Sequence, residues 1–254
     1  MRLTFLGTGT STGVPVLACH CATCTSADPR DKRTRPSVLL EFQDRVVVID
    51  TSPDFREQGL RENLERLDAV IFTHTHADHI FGLDDVRIFN FRQKQAIPIY
   101  GDQSSIDIIR RTFTYIFEGT YAGGGVPKLD AHIIDGPFEV WGKQFTPLPV
   151  LHGDLPILGF RFDRTAYVTD FSTVPEPTLA MLEGLDVLIL DALRHQPHPT
   201  HSTVEHSLEI VKRLKPKRAF FTHIAHELRH TATEAELPAT VRLAYDGLKL
   251  DLYG

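Results

Sequence analysis

Between residues 74 and 79 the sequence places His74, His76, Asp78 and His79, four side chains that can donate electron pairs to a metal ion. Imidazole nitrogens and carboxylate oxygens are ordinary zinc donors, and a zinc site takes three or four. The apolar run Asp68-Ala69-Val70-Ile71-Phe72 just before them reads as a buried strand. In an extended chain alternate side chains share a face, so His74 and His76 can point the same way. A helix starting at Asp78 brings that carboxylate and His79 in from another direction. A chance cluster on a surface loop is the plainer alternative. More donors at predicted strand ends weigh against it: His152 after 148–151, Asp170 after 167–169, and His223 after 219–221.

A second group is Cys19, Cys21 and Cys24, which are all the cysteines of the chain. An odd number so close together is a poor disulfide framework and a better metal site. Thiolates at this spacing can wrap one zinc ion, with one donor missing. His20 sits between two of the cysteines and is expected to point away, which leaves the fourth donor to a distant histidine. Asp50 ends a predicted strand where a carboxylate can anchor the histidine loop from behind; a turn or cap role is compatible with that. His195, His198 and His201 form a third histidine-rich stretch.

The elements that must position these groups are mostly strands. They are predicted over 2–6, 37–42, 45–49, 68–72, 97–100, 131–134, 138–141, 144–149, 159–162, 166–169, 186–190 (ending at Asp191) and 219–221. Helices are predicted over 53–66, 80–91, 104–113, 175–182 and 203–214, the last capped by Ser202 or Thr203. Segments 241–244 and 248–252 read as a hairpin around Asp246-Gly247. His206 is expected to face outward. The glycine-rich turn 7–15 is neither a Walker loop nor a dinucleotide fingerprint. It is either a backbone approach to the active site and a phosphate, or a tight loop without ligand. Segment 28–35, with Arg30, Lys32, Arg33 and Arg35, is more commonly a solvated loop than a phosphate site. Phe113, Tyr115, Phe117 and Tyr121 read as core rather than as a base-stacking or dimer face. Gly123-Gly124-Gly125 reads as a connection rather than a lid hinge.

The 254 residues, 42% hydrophobic and 24% charged, suit one globular domain over 1–254 with a Cys-rich loop at about 19–24. A net charge of −6 argues against a nucleic-acid coat protein. No apolar run has the roughly 18 residues of a membrane helix, and the N-terminal stretch does not read as a signal peptide. A cytoplasmic protein without membrane contact is therefore expected.

The ordered set His74-x-His76-x-Asp78-His79, His152, Asp170 and His223 resembles the metallo-β-lactamase superfamily. The resemblance covers essentially the whole chain and implies an α/β fold, the αββα four-layer sandwich, with metals at one edge of the two sheets. Leu6-Gly7-Thr8-Gly9 through Gly13-Val14-Pro15, followed by Cys19-x-Cys21-x-x-Cys24, is similar to the PhnP-like phosphodiesterases, which belong with the ribonuclease Z branch. That resemblance implies His74, His76 and His152 on one metal, Asp78, His79 and His223 on the other, and Asp170 bridging. The ions it implies are two divalent cations, manganese or zinc. It also implies a structural zinc on Cys19, Cys21, Cys24 and His226, with Asp78 and His201 as catalytic residues. His195 and His198 lie near enough to compete with His201.

The expected function is hydrolysis of a small cyclic or nucleotide-like phosphodiester by a metal-bridging hydroxide, with nucleotide binding and a homodimer suggested by relatives. The long basic arm of tRNA-processing relatives is missing from this sequence. Alternatives are a thioesterase or lactonase on the same fold, an RNA 3′-end nuclease, or a non-enzymatic zinc module. The complete seven-donor set counts against the last.

Overall fold

Alternation within single strands decides the layering. In β3, Arg45–Ile49, the side chains of Val47 and Ile49 join one apolar cluster and those of Val46 and Val48 another. In β11, Val187–Asp191, Val187 and Ile189 join the first of these, while Leu188 and Leu190 face the opposite way. Residues two apart share a face, so these strands are apolar on both sides and must be covered on both. The computed structural model, which describes residues 1–119 and 125–252, covers them by stacking two sheets face to face with helices outside.

The first sheet runs β14 (Lys249–Asp251), β1 (Arg2–Gly7), β2 (Ser37–Phe42), β3, β4 (Ala69–Ile71), β5 (Ile97–Gly101), β6 (Leu129–Ile133). The second runs β13 (Val241–Leu243), β12 (Arg218–Thr222), β11, β10 (Thr165–Val168), β9 (Leu155–Phe162), β8 (Lys143–His152), β7 (Phe138–Val140). Phe5, Leu40 and Ile49 of the first sheet meet Phe145, Phe160 and Tyr167 of the second in the central layer. Helices α1 (Phe55–Arg61), α2 (Ala77–Ile80), α3 (Arg87–Gln93), α4 (Gln103–Thr112) and α5 (Thr114–Phe117) cover the outer face of the first sheet. Helices α6 (Glu176–Met181) and α7 (Val204–Leu214) cover the second, and α8 (His230–Glu236) packs beside β13. This is the expected αββα sandwich. Among the described residues, no helix is long and apolar enough to cross a membrane.

Strands β3 to β6 are mutually parallel, as are β10 to β13. β8 is antiparallel to β9, and β9 to β10, so β8 runs with the parallel group. Carboxyl ends of parallel strands, where α/β proteins place their ligands, therefore line one edge of each sheet. The two edges are tied together there. Leu158 N–H donates to Thr73 O at 3.0 Å, and Ile224 N–H to Thr8 O at 2.8 Å.

Several elements differ from expectation. The predicted helix 53–66 stops at Arg61, and Asn63 beyond it is left-handed at φ 52°. The predicted helix 80–91 is split into α2, a 3-10 turn Leu83–Val86, and α3. Gly82 lies at the break, where an added Cβ would sit 2.0 Å from Ser52 O. The C-terminal hairpin does not form: β13 pairs with β12 and β14 with β1, so Asp246-Gly247 carries the chain from one sheet to the other. The Asp246 carboxylate accepts from Thr8 N (2.9 Å) and Oγ1 (2.8 Å) and from Thr34 N (2.8 Å) and Oγ1 (2.6 Å).

The basic segment 28–35 is structural. Arg30 pairs with Asp28, Arg35 pairs with Asp54, and Lys32 Nζ donates to Cys24 O. The buried Arg33 donates to Ala225 O (3.0 Å) and Leu228 O (2.7 Å) beside Asp31. The glycine-rich turn does reach the site edge, but Thr8, Gly9, Thr10, Gly13 and Val14 all donate their amides within the protein, so those amides cradle no phosphate. Phe113 is buried, while Tyr115 and Phe117 are half-buried against the same apolar cluster and Tyr115 donates to Asp84. Tyr121, Gly123 and Gly124 lie outside the described residues.

Candidate metal centre

Six strand ends converge on the shared edge. β3 runs into Asp50, β4 into 73–79, and β10 into Asp170; β8 ends at His152, β11 at Asp191, and β12 runs into His223. Asp50, Asp170 and His223 have left-handed φ values of 65°, 58° and 57°. Such a conformation costs a residue with a Cβ about 1–3 kcal/mol and persists where the surroundings enforce it. His76 stands at the N-cap of α2, whose first turn carries Asp78 and whose end carries His79.

The donor atoms of His74, His76 and His152 lie within 4.8 Å of one another, as do those of Asp78, His79, Asp170 and His223. Asp170 also groups with His152 and His201, so it stands between the two sets. All seven predicted donors are thus brought together. Their chemistry fits divalent cations. His74 Nε2, His79 Nε2 and both nitrogens of His223 are buried without a hydrogen bond. His223 Nε2 comes within 3.0 Å of Asp170 Oδ1, and His79 Nε2 within 3.4 Å of both Asp78 and Asp170, yet none is satisfied. An unsatisfied buried group costs about 1–3 kcal/mol, and a cation between the lone pairs removes that cost.

Groups behind the donors fix their orientation. His79 Nδ1 donates to Asp50 Oδ2 at 2.7 Å, while Asp50 also accepts from Thr73 N (2.9 Å) and Oγ1 (2.7 Å). His152 Nδ1 donates to Thr200 O at 2.8 Å. A proton held on Nδ1 leaves the Nε2 lone pair facing inward. Burial lowers the proton affinity of His79, but Asp170, Asp78 and Asp50 more than reverse this and lift it well above the ordinary histidine value. His223 is likewise raised to about 10, with Asp170 overcoming burial. Burial, reinforced by His79, pushes His74 well down. Asp170 stays well below the carboxylate range despite its burial, because His223 and His79 face it. The carboxylates therefore attract positive charge to the inward nitrogens.

His201 overlooks both sets. Its ring stacks on His223 (4.6 Å, 15°) and meets His152 edge-on at 4.6 Å. Its Nδ1 donates to Asp191 Oδ2 at 2.8 Å. Burial, then the His223 charge, push His201 down to about 3. Asp191 is fully buried, which holds its carboxyl well above the ordinary range. Sequence reasoning assigned Asp191 no role. The available signal was that, like Asp50 and Asp170, it is a carboxylate at the end of a buried strand.

His195 turns away to Glu205 at 2.6 Å, while His198 lies 5.0 Å from the His201 ring and its Nδ1 accepts from Thr200 N. His206 does not face outward: it packs on Phe171 and meets Ser202 Oγ at 3.1 Å. The Cys19, Cys21 and Cys24 sulfurs lie 3.2, 3.5 and 3.5 Å from His226 Nδ1, a four-donor group without His20.

Two facing sheets with imidazoles and carboxylates along their joint edge define a sandwich fold with a candidate metal centre. The chain matches the beta-lactamase superfamily domain over residues 45–224. Its structure is similar to that of a diphosphatase from the PhnP family, with a TM-score of 0.93 and 46% identity, covering 99% of this chain and 98% of that one. It is 37% identical over 253 residues to an octanoyltransferase of Porphyromonas gingivalis, covering 98% of this chain and 51% of that protein. It is also 28% identical over 171 residues to a ribonuclease Z of Bradyrhizobium diazoefficiens, covering 65% of this chain and 50% of that one. The chain spans about half the length of these curated relatives. The name octanoyltransferase, which denotes acyl transfer, is at odds with the hydrolase neighbours. The chain belongs to the metallo-β-lactamase superfamily, and within it to the PhnP family of metal-dependent hydrolases.

Proposed function

We propose that residues 1–254 form one hydrolase domain that cleaves a small cyclic or nucleotide-like phosphodiester. The observation that carries this reading is the Asp191–His201 pair standing over both donor sets. A phosphodiester needs charge withdrawn from its oxygens and a proton delivered to the leaving oxygen. His74, His76 and His152 would hold one cation and Asp78, His79 and His223 a second, Asp170 lies near donors of both sets, and Asp50 orients His79. When bound there, divalent cations such as zinc or manganese supply Lewis acidity to the phosphoryl oxygens and acidify water. The remaining work belongs to the chain. Asp191 Oδ2 holds the Nδ1 proton of His201, so Nε2 faces the substrate. The resting ring is neutral, and an incoming phosphate anion raises its proton affinity by placing negative charge beside it. His201 Nε2 then takes up a proton from solvent and passes it to the leaving oxygen, while Asp78 stays ionised and faces the same space.

The diphosphatase named among the structural neighbours supports a diphosphate linkage, a phosphoanhydride, as a further substrate beside phosphodiesters. The test is turnover of bis(p-nitrophenyl) phosphate by metal-stripped protein reloaded with manganese or zinc. Activity that returns with metal and is lost in His76→Ala supports the reading. Folded, metal-loaded protein that cleaves thioesters or lactones and no phosphodiester would replace it.

A further inference from the structure

The excursion from residue 15 to 32 has almost no core of its own. Its regular structure is one 3-10 turn, Pro29–Asp31; of its hydrophobic residues only Cys24 is buried, and Leu17 is 93% exposed. A segment without buried apolar area is held by point contacts. Here these include the three cysteines with His226 and Arg33 with its carbonyl partners, beside Asp28 and Asp31, which accept from Thr231 Oγ1 and His230 N.

The same contacts hold residues 222–228. His226 supplies the fourth donor to the cysteines. Arg33 clamps Ala225 O and Leu228 O, and Ile224 exchanges backbone hydrogen bonds with Thr8 and Thr10. Three residues before His226 on this loop stands His223, left-handed and facing Asp170. One short loop therefore serves both donor groups.

Cys21 and Cys24 form a Cys-x-x-Cys turn in which the Cys24 N–H donates to Cys21 Sγ at 3.4 Å, with the two sulfurs within 4.8 Å. Cys21 is partly exposed and Cys24 is buried. We infer that Cys21 and Cys24 are a thiol oxidation site whose disulfide releases the ion of the cysteine group and, through residues 222–228, loosens His223 at the metal centre. The inference rests on reading both donor groups as ion sites and on no particular substrate.

The chemistry balances with a peroxide as oxidant. The Cys21 thiolate attacks one peroxide oxygen, the O–O bond breaks, and hydroxide leaves and is protonated to water. The Cys24 thiolate then attacks the sulfenic sulfur, forms the S–S bond and expels a second hydroxide, also protonated to water. The sulfurs together lose the two electrons that the peroxide gains. Cys19 and His226 remain, two donors where a structural zinc takes four.

The test is to treat the zinc-loaded chain with hydrogen peroxide. Disulfides are mapped by peptide mass spectrometry, released zinc is read with a chromogenic chelator, and hydrogen exchange is followed over 222–228. The expected result is a Cys21–Cys24 linkage, release of the zinc of the cysteine group, and exchange over 222–228 faster by about tenfold or more. A dithiol with added zinc should reverse all three. A disulfide that includes Cys19, or oxidation to sulfinic acid alone, overturns the site. The expected disulfide with exchange unchanged overturns the coupling. Bis(p-nitrophenyl) phosphate turnover is measured alongside: its absence before oxidation counts against the proposed function alone, because the other readouts need no substrate.

Discussion

In the proposed reaction, His201 delivers a proton in the right direction only while Asp191 holds its other nitrogen. Asp191→Asn keeps the side-chain shape and removes the carboxyl group that faces His201 Nδ1. Phosphodiester turnover is expected to fall about 10²-fold, in kcat rather than KM, with metal content unchanged. Loss of metal along with activity would instead assign Asp191 to supporting His223, whose Nδ1 lies 4.0 Å from Asp191 Oδ1. At this scale the sequence was informative wherever donors cluster. The spacing of His74, His76, Asp78 and His79 states its chemistry without a fold. Asp191 was not legible, because a single carboxylate at a strand end has no partner until the chain brings His201 to it from ten residues away.

Where a strand begins can matter as much as where it ends. Asp68, just before β4, is buried and accepts from Val46 N (2.8 Å), Arg66 Nε (2.8 Å) and Arg45 (3.0 Å). Burial alone would raise its carboxyl; Arg66, the Val46 amide and Arg45 outweigh it and hold the group below the usual range. A carboxylate so depressed stabilises the fold above its unfolded value and loses that contribution as pH falls through the folded one. Asp68→Asn should therefore cost about 1–3 kcal/mol at neutral pH. Urea unfolding should show the gap steady down to about pH 4, near the unfolded value, and narrowing below it. A gap that persists in acid would mean lost packing instead. Asp246→Ala, which strips partners from Thr8 and Thr34, should cost about 2–4 kcal/mol by the same measurement. Asp246-Gly247 also shows what element-level reading misses. A two-residue turn signal is local, whereas the choice between a hairpin and a crossing to the other sheet is made by the distant β1 and β12. The strands themselves were legible, because apolar runs survive any register.

For the molecule as a whole, the metal centre should behave as part of the core. Ions supplied at about a hundred times their Kd should add roughly 2.7 kcal/mol per site to the folded state. Thermal unfolding with and without chelator checks this, and an unchanged midpoint would mean that the folded chain holds no ion there or that the unfolded chain binds it equally well. Cys21→Ala should lose the ion of the cysteine group and unfold earlier. The layering was foreseeable from the family resemblance that the ordered donors carry and from two halves that each run strands and then helices. The convergence of residues 222–228 on both groups was not, because no periodicity reports that one loop has two tasks. That loop also sets a timetable. A chain emerging from the ribosome presents its cysteines first and residues 74–79 soon after, long before His223 and His226 exist. Until then each group lacks its last member, and any ion it meets stays exchangeable. Docking of a single loop brings the last donor to the cysteines and to Asp78, His79 and Asp170 together, so ions held by these two groups would be captured late in synthesis.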